Sequence, residues 1–240
     1  MAKKTATAAS QEPKGAVRPR SRERRTVRQE AAVDAAFRLA AREGVTGLSM
    51  RRLAQELDVD VTALYRLFRD KDELLLALCE RIIETELDAV GEVPEDEPWT
   101  DTLRRIAAVM WQSQSRFPAV TVLTFARTTG GPAERRMIEL LLSCFTRSGL
   151  PPAEAVLYYR TFVDTALGHC ASAASLSSLD PEAREKDDTT WTRVYARLPE
   201  GDYPVTHAHV TELSVIDHRT IYDTAVEAVL AAAARTAAGA

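Results

Sequence analysis

Three side chains suited to capping helices follow one another at short intervals: Ser49, Asp60 and Asp70. A side-chain oxygen at the start of a helix accepts a hydrogen bond from a backbone N–H that the helix itself leaves unpaired. Helices that begin this close together must be short. The chain is therefore expected to form one short helix at residues 50–57 and a second from residue 61 to about 67.

The segments around these two helices are also specified. Asp58 lies in the turn between them, where aspartate tolerates backbone angles that most residues avoid. Glu73 follows Asp70 by three residues, which is the spacing of a capping box and predicts a long fourth helix. A helix is expected before them, from Arg28 to a stop at Gly44. Its apolar residues at helical spacing are Val33, Ala36, Phe37 and Ala40.

The rest of the chain has helical periodicity and no strand-like alternation, so the predicted fold class is all-α. The low content of helix-breaking residues, 10 Gly and 11 Pro in 240, agrees with this. Residues 177–206 are predicted to be mostly loop, with one helix at about 190–198. The last helix is expected to place Ile221, Ala225, Val229 and Ala232 on one face. The predicted helices of this half lie at about residues 100–115, 118–126, 132–148, 152–176 and 217–235.

The charge of the chain is divided unevenly along its length. Residues 1–71 carry a net charge of +7 and residues 72–240 a net −11, which favours a polyanion at the N-terminal part. Residues 1–28 hold 9 basic and 2 acidic residues, whereas residues 29–71 hold 7 of each. Because residues 1–27 are polar and lack an apolar period, they are predicted to form a flexible basic arm.

Two short helices packed on a longer one are the parts of a helix-turn-helix, whose second short helix enters the major groove of DNA. The sequence here resembles the TetR family of regulators, over residues 47–59, 62–68 and 71–75. The Leu-Tyr-x-x-Phe run, followed by Lys and Leu-Leu, is the most specific part of the resemblance. It implies a helix-turn-helix domain at residues 28–73 and a larger helical ligand-binding and dimerisation domain at 74–240.

The resemblance and the side-chain chemistry together predict how the DNA is read. Arg51 is suited to pair with O6 and N7 of guanine. Thr62 and Ala63 are expected to meet base edges or a thymine methyl group, and Tyr65 and Lys71 to bind phosphates. The complete set of predicted DNA-binding residues is Ser49, Met50, Arg51, Thr62, Ala63, Tyr65, Arg66 and Lys71.

The larger half is expected to dimerise and to bind a small molecule. The helices near residues 152–176 and 217–235 are rich in Ala, Val and Leu, so two from each subunit are predicted to form the four-helix interface of a homodimer. The family resemblance implies a ligand pocket among the middle helices, and aromatic side chains with a few polar groups suit a hydrophobic effector. The predicted ligand-binding residues are Met110, Trp111, Gln114, Phe117, Arg127, Tyr158, Phe162 and His169.

The sequence offers no set of residues for catalysis. It has no glycine-rich phosphate loop and no Gly-x-Ser-x-Gly elbow, and His169 and Cys170 are helix neighbours that point about 100° apart. The three cysteines are widely spaced, which indicates neither disulfides nor zinc. We therefore expect no enzymatic activity, cofactor or metal site. Because no membrane span or secretory signal is evident, a cytoplasmic protein without membrane contact is expected.

These observations predict a repressor that binds a palindromic double-stranded DNA operator as a homodimer and is released by a small hydrophobic effector. Two alternatives share its DNA-binding character: a transcriptional activator of the same fold, and a non-specific architectural protein that binds mainly through its basic arm. An enzyme on a helical scaffold would need a convergent acid–base or metal set, which the sequence lacks.

Overall fold

Twelve α-helices and one 3₁₀ turn follow one another in the computed structural model, which describes residues 19–239 and contains no strand in that range. The predicted all-α fold is confirmed. The elements are α1 (Pro19–Gly47), α2 (Met50–Glu56), α3 (Val61–Tyr65), α4 (Lys71–Val90), α5 (Trp99–Arg116), α6 (Pro118–Thr124), α7 (Pro132–Arg147), α8 (Pro152–Ser177), α9 (Pro181–Arg193), the 3₁₀ turn (Tyr195–Arg197), α10 (Pro204–Ala208), α11 (Val210–Val215) and α12 (His218–Gly239). No described helix is both long and apolar enough to span a membrane.

The predicted caps set the lengths of the two short helices. The Ser49 hydroxyl accepts a hydrogen bond from the N–H of Arg52 at 3.2 Å, and the Asp60 carboxylate accepts one from the N–H of Thr62 at 2.8 Å. Asp58, between α2 and α3, has a φ of 51°, the left-handed conformation that aspartate tolerates. The turn therefore follows from local hydrogen bonds and from one permissive residue.

The capping box at the start of α4 is also present. The Asp70 carboxylate accepts from the N–H of Glu73 at 2.9 Å, and the Glu73 carboxylate in turn accepts from the N–H of Arg69 at 2.6 Å. Two N–H groups that the helix leaves unpaired are thus satisfied by reciprocal side chains. Together with the N-caps of α2 and α3, this box fixes the path of the chain through all three helix starts.

A core of buried side chains holds α1 to α4 together. Leu53, Leu64 and Phe68 are at most 1% exposed and pack against α1 residues such as Leu39. As the apolar residue between the two short helices, Val59 is also expected to face inward, but its side chain is 43% exposed. The reason is the left-handed residue before it, which turns the chain away from the helical register that Val59 would otherwise continue.

Helix α1 begins earlier than its apolar pattern suggests. It starts at Pro19 instead of Arg28, so the predicted arm at residues 1–27 overlaps its first turns. Proline fits the first turn of a helix, and the Arg- and Glu-rich segment that follows has good helix propensity without an apolar stripe. Residues 1–18 of the predicted arm lie outside the described residues. Gly44, at φ 70°, interrupts α1 where a stop was predicted.

The body is a second core built mainly from α5, α7, α8 and α12. Its largest fully buried side chain, Tyr222, donates its hydroxyl to the carbonyl of Ala107 at 2.7 Å. The inward face of α12 lies one residue away from the predicted one, because two neighbouring stripes of this Ala- and Val-rich helix are equally apolar. The predicted stripe was Ile221, Ala225, Val229 and Ala232. The buried stripe is Tyr222, Val226, Leu230 and Ala233.

The region between α8 and α12 is more helical than predicted. Residues 177–206 were expected to be mostly loop, but they contain α9, the 3₁₀ turn and the start of α10. Asp180 caps α9 by accepting from the N–H of Ala183 at 3.0 Å, and Pro181 occupies its first turn. Because α9 has no buried residue, it carries no apolar period from which it could be recognised.

Helix α6 joins the two cores. Its residues Ala119 and Val120 are buried in the N-terminal core, while α6 also packs on α8. Phe117, just before α6, packs against Phe37 of α1 with 4.7 Å between ring centroids. The orientation of the N-terminal unit is therefore tied to the body through α6 as well as through α4.

Glu80 of α4 caps a different helix, α7. Its carboxylate accepts from the N–H of Ala133 at 2.9 Å and from that of Glu134 at 3.1 Å. Gly131 lies so close to Glu80 that a Cβ at this position would overlap the carboxylate. The long reach of a glutamate from another helix is thus possible because residue 131 has no side chain.

We expect Gly131→Ala to displace this cap and to lower the free energy of unfolding by about 1–2 kcal/mol. Gly201→Ala is the matched control, because a Cβ there meets no atom within 4 Å. Urea unfolding of both variants measures the difference. Equal stabilities would contradict the proposed role of the Glu80 cap.

Candidate DNA interface and cavity

The solvent-facing side of α2 and α3 carries most of the predicted DNA-binding residues. Tyr65 is 51% exposed, and Thr62 and Arg66 are also exposed, whereas Ala63 is half-buried. The helices α2 and α3 pack against each other, so these residues belong to one small unit. Three further positions at the starts of α2 and α4 are exposed: Ser49, Arg51 and Lys71.

Met50 is the exception among the predicted DNA-binding residues. Its side chain is only 5% exposed and lies in the N-terminal core with Leu48 and Leu53. The prediction that Met50 contacts DNA is therefore wrong. The first residue of α2 turns toward α1, and its neighbour Arg51 is the side chain that faces solvent.

The two adjacent arginines of α2 have different environments. Arg52 forms two hydrogen bonds to Glu43 of α1, with Nε to Oε2 at 3.0 Å and Nη2 to Oε1 at 2.5 Å. The bound Arg52 guanidinium holds the pKa of the Glu43 carboxyl below its ordinary value. Among the residues that the structure describes, Arg51 has no ion-pair or side-chain hydrogen-bond partner. Arg52 thus fastens α2 to α1, while Arg51 is available for a ligand.

A cavity of about 180 Å³ opens between the helices of the body. Three of the predicted ligand-binding residues line it: Met110, Gln114 and Arg127. Its wall is mainly apolar and comes from α4, α5, α7, α8 and the segment after α6. The other lining residues are Cys79, Ile83, Glu86, Thr124, Phe125, Ala126, Thr128, Glu134, Met137, Ile138, Leu141, Tyr159, Arg160, Val163, Asp164 and Leu167.

Three other predicted ligand-binding residues are directed into the packed body. Trp111 and His169 pack on the ring of Tyr222, with centroids 4.9 and 6.5 Å away. Phe162 is fully buried and meets Phe145 edge to face. None of the three lines this cavity, and Trp111 borders a separate groove beside Arg219. Their contact with a ligand stays a prediction. They lie on the sides of α5 and α8 that face α12 and the inner core.

The last two predicted ligand-binding residues also lie elsewhere. Phe117 packs against Phe37 at the junction of the two cores, and Tyr158 shares a 2.8 Å hydrogen bond with Thr236 of α12. Neither lines this cavity, and their contact with a ligand also stays a prediction. Periodicity shows that such aromatic residues face inward, but it does not distinguish a cavity wall from a helix contact.

Glu86 is the functional candidate that the sequence analysis missed. It is only 3% exposed, lines the cavity and accepts a hydrogen bond from Nε2 of Gln114 at 3.1 Å. Burial raises the pKa of its carboxyl to about 7. A signal was present in the sequence, because Glu86 stands between Ile82 and Val90 at spacings of four in a buried stripe. A charged residue at a core position indicates a special environment.

Gln114 links the cavity to α6. Its Oε1 accepts a hydrogen bond from the hydroxyl of Thr121 at 2.8 Å, while its Nε2 donates to Glu86. Thr121 is fully buried, on the helix that packs against α1. One amide therefore connects α4, α5 and α6 by hydrogen bonds in the protein interior.

Arg127 forms a second link between the cavity and α4. Its guanidinium makes two hydrogen bonds to the Asp72 carboxylate, at 2.6 and 2.9 Å. Asp72 is the second residue of α4 and follows Lys71, a predicted phosphate ligand. The predicted ligand residue Arg127 thus lines the cavity and also binds the start of α4, beside the predicted DNA-binding residue Lys71.

The cysteines and acidic residues give no sign of a reactive or metal-binding centre. No group of three or more potential metal ligands occurs within the described part of the chain. Burial raises the pKa of the Cys79 and Cys170 thiols to about 12, so neither is a ready nucleophile near neutral pH.

Comparisons with known families cover most of both units. The model described as "Bacterial regulatory proteins, tetR family" matches residues 32–78, and the model "Tetracyclin repressor-like, C-terminal domain" matches residues 93–232. An HTH-type transcriptional regulator of Saccharopolyspora erythraea is 30% identical over 218 residues, which cover 85% of each chain.

A second relative is similar over a shorter length. The HTH-type transcriptional repressor Rv1353c of Mycobacterium tuberculosis is 32% identical over 116 residues, or 48% of this chain and 44% of that protein. The match thus spans less than half the length of this repressor.

Solved structures share the fold. Apo ActR from Streptomyces coelicolor superposes with a TM-score of 0.74 at 20% identity, and the match covers 88% of this chain and 96% of ActR. ActR in complex with actinorhodin superposes with a TM-score of 0.72 at 22% identity, over 87% and 97% of the two chains. At these identities the likeness concerns the fold alone.

Proposed function

The chain belongs to the TetR family of bacterial regulatory proteins, and on this basis we propose that it is a repressor that binds a palindromic operator as a homodimer and leaves it when a small molecule fills the cavity. The observation that carries the proposal is the exposed set of polar side chains on α2 and α3. Within the described residues Arg51 has no ion-pair partner, whereas its neighbour Arg52 is bound to Glu43. The cytoplasm, where bacterial DNA lies, is the proposed compartment.

In the proposed complex, α3 lies in the major groove. Thr62 and Ala63 then meet base edges, and Arg51 reaches a guanine from the start of α2. Tyr65 and Lys71 bind phosphates on either side and fix the register of the protein on the duplex. Arg66 and Ser49 are proposed as further polar contacts. This assignment agrees with the exposure of all these side chains except Ala63, which is half-buried.

The proposed dimer interface is the free side of α8 and α12. These two helices pack together and leave apolar side chains in solvent, with Leu157 60% and Ile221 40% exposed. The exposed surface of these helices also includes small residues such as Gly168 and Ala228, which allow close helix approach. A second pair of helices from an identical subunit would cover this surface and form a four-helix bundle.

The segment from α9 to α11 supplies further surface for a second copy. Val205 and Val215 are 72% and 73% exposed, and Ile216 is 54% exposed. The main packing partners of these helices are one another. Apolar side chains gathered on one solvent-facing segment indicate a protein interface, and we propose that this segment packs against the partner subunit beside the four-helix interface.

The cavity and the DNA-facing surface share α4, which offers a physical basis for release. Glu86 lies in the cavity wall, and Lys71 at the start of the same helix. A ligand that moves α4 would change the separation of the two α3 helices in the dimer and thus the fit to both half-sites. By linkage, operator and ligand then weaken each other's binding by the same factor, typically with a coupling free energy of about 1–3 kcal/mol.

Gel shifts with the DNA upstream of the protein's own gene test the assignment of the DNA-binding residues. We expect Arg51→Ala to reduce discrimination against a substituted guanine by about 1–3 kcal/mol, because a bidentate base contact is lost. Lys71→Ala should weaken binding to all sequences alike. It should also reduce the slope of log K against log salt concentration by about one, because one phosphate contact is lost. Arg135→Ala, an exposed change on α7, is the control. Unchanged base preference in Arg51→Ala would contradict the assignment.

Gel shifts and a gene deletion separate the alternatives. An architectural DNA-binding protein would bind unrelated DNA as tightly as the upstream sequence, and deletion of the basic residues 1–27 would abolish its binding. An activator would bind the operator with the same specificity, but deletion of its gene would lower transcription from the adjacent promoter. A repressor predicts a rise in that transcript.

A further inference from the structure

Glu86 differs from every other charged group of the cavity wall. Arg127 is bound to Asp72, and Arg160 pairs with Asp164 at 3.6 Å. The carboxylate of Glu134, also in the wall, accepts hydrogen bonds from two backbone N–H groups of the preceding loop. Glu86 alone is deeply buried, and within the described residues it has no cationic partner but only neutral ones, the amide of Gln114 and the nearby hydroxyl of Ser113.

The groups around Glu86 do not compensate its charge. On its own helix α4 it is near the Cys79 thiol, and from α7 the acidic Glu134 lines the same cavity. Cys170 of α8 and Tyr222 of α12 are near enough to feel its charge, and burial raises the pKa of both, so they are neutral near pH 7. The remaining ionisable side chains of the wall are Tyr159, Arg160 and Asp164 on α8 and Arg127 in the loop after α6.

We propose that the cavity selects an apolar molecule that carries a protonated amine, and that Glu86 binds this amine. The inference rests on the proposed function, since it names the chemistry of the effector that the cavity takes. A buried carboxylate without a cation is costly, and a cation that donates a hydrogen bond to it removes this cost. The apolar wall built by residues such as Met137 and Val163 receives the rest of the molecule.

Binding of such a cation is linked to a proton. Burial raises the pKa of Glu86 to about 7 in the unliganded protein, and a bound ammonium group favours the ionised carboxylate. The cation therefore binds more tightly as the pH rises from about 6 to about 8, and a proton is released on binding at the lower pH. The pKa values of Cys79, Cys170, Tyr159 and Tyr222 are raised by burial, and that of Arg127 is raised by its bond to Asp72, so none of these groups changes its charge in this range.

A fluorescence titration in the absence of DNA tests the proposal with two dyes of similar shape. The dye 9-aminoacridine is a cation near neutral pH, whereas acridine is neutral, and omitting DNA avoids intercalation. We expect the unchanged protein to bind 9-aminoacridine more tightly than acridine. Glu86→Gln should bind 9-aminoacridine about tenfold or more weakly than the unchanged protein does. Acridine should bind both proteins with nearly equal affinity. Asp88→Asn, which changes an exposed acid on the same helix that does not line the cavity, is the matched control and should keep the preference.

The possible outcomes are distinct. If Glu86→Gln binds 9-aminoacridine as tightly as the unchanged protein, or if the affinity is independent of pH, the role of Glu86 is refuted. Retained binding of acridine would then leave the cavity, and with it the proposed function, intact. If neither dye binds the unchanged protein, the proposed ligand class is refuted, while operator binding in the gel shift still stands as a separate result.

Discussion

Replacement of Gly168 by arginine is expected to convert the protein to a monomer and to lower its affinity for operator DNA by about 100-fold or more. Gly168 lies on the exposed side of α8, and a Cβ at this position meets no atom within 4 Å, so the isolated subunit accommodates the side chain. In the proposed dimer, the arginine would stand between helices that must approach closely. A monomer holds only one half-site and loses the gain from simultaneous binding of both.

Light scattering after gel filtration and gel shifts measure the two effects. Gly168→Ala is the control, because a methyl group keeps the small-residue surface and should leave a dimer with nearly unchanged affinity. Circular dichroism and thermal unfolding establish that the arginine variant is folded. A folded Gly168→Arg variant that remains dimeric would show that the interface lies away from the free side of α8.

Replacement of Glu86 by glutamine is expected to remove a pH-dependent loss of stability of roughly 3 kcal/mol. The pKa of this carboxyl rises from the ordinary 4.5 to about 7 in the folded protein. Between these two values the folded state holds more protons than the unfolded state, so stability falls as the pH rises. The loss of folding stability is nearly complete once the pH exceeds about 7. Glutamine does not ionise, so the variant does not lose this stability.

Urea unfolding of both proteins at about pH 5 and about pH 8 gives the test. The stability of Glu86→Gln relative to the unchanged protein should grow by roughly 3 kcal/mol between the two conditions. Asp164→Asn should show no such change, because its carboxylate is exposed and paired with Arg160. Parallel pH profiles for Glu86→Gln and the unchanged protein would show that Glu86 ionises with the same pKa in the folded and unfolded states, and would contradict the raised pKa.

The N-terminal unit could be predicted from the sequence because its determinants are local. Ser49, Asp60 and Asp70 each bond to a backbone N–H two or three residues ahead, and Asp58 supplies the left-handed turn. Hydrogen bonds of this kind depend on spacing alone. Met50 was misjudged because the direction of a single side chain at the start of α2 depends on how the helix packs on α1.

The body was predicted less well because its cavity depends on non-local packing. Trp111 and Gln114 are three residues apart on α5, yet one packs on Tyr222 and the other reaches Glu86. Which side of the helix borders the cavity is decided by the placement of α4, α7 and α8. Helix α9 was missed for a different reason. It buries no residue, so its sequence has no apolar residues repeated at helical spacing.

Footprinting of the DNA upstream of the protein's own gene with the purified protein shows whether it binds a palindromic operator as a dimer. We expect protection of a palindrome whose half-sites lie about one helical turn apart or more, on the same face of the duplex. The protection should weaken steeply with salt and should disappear with Gly168→Arg at concentrations where the unchanged protein protects fully. Uniform protection along the fragment, or equal protection by the dimer and the folded monomeric variant, would contradict dimeric binding to a palindrome.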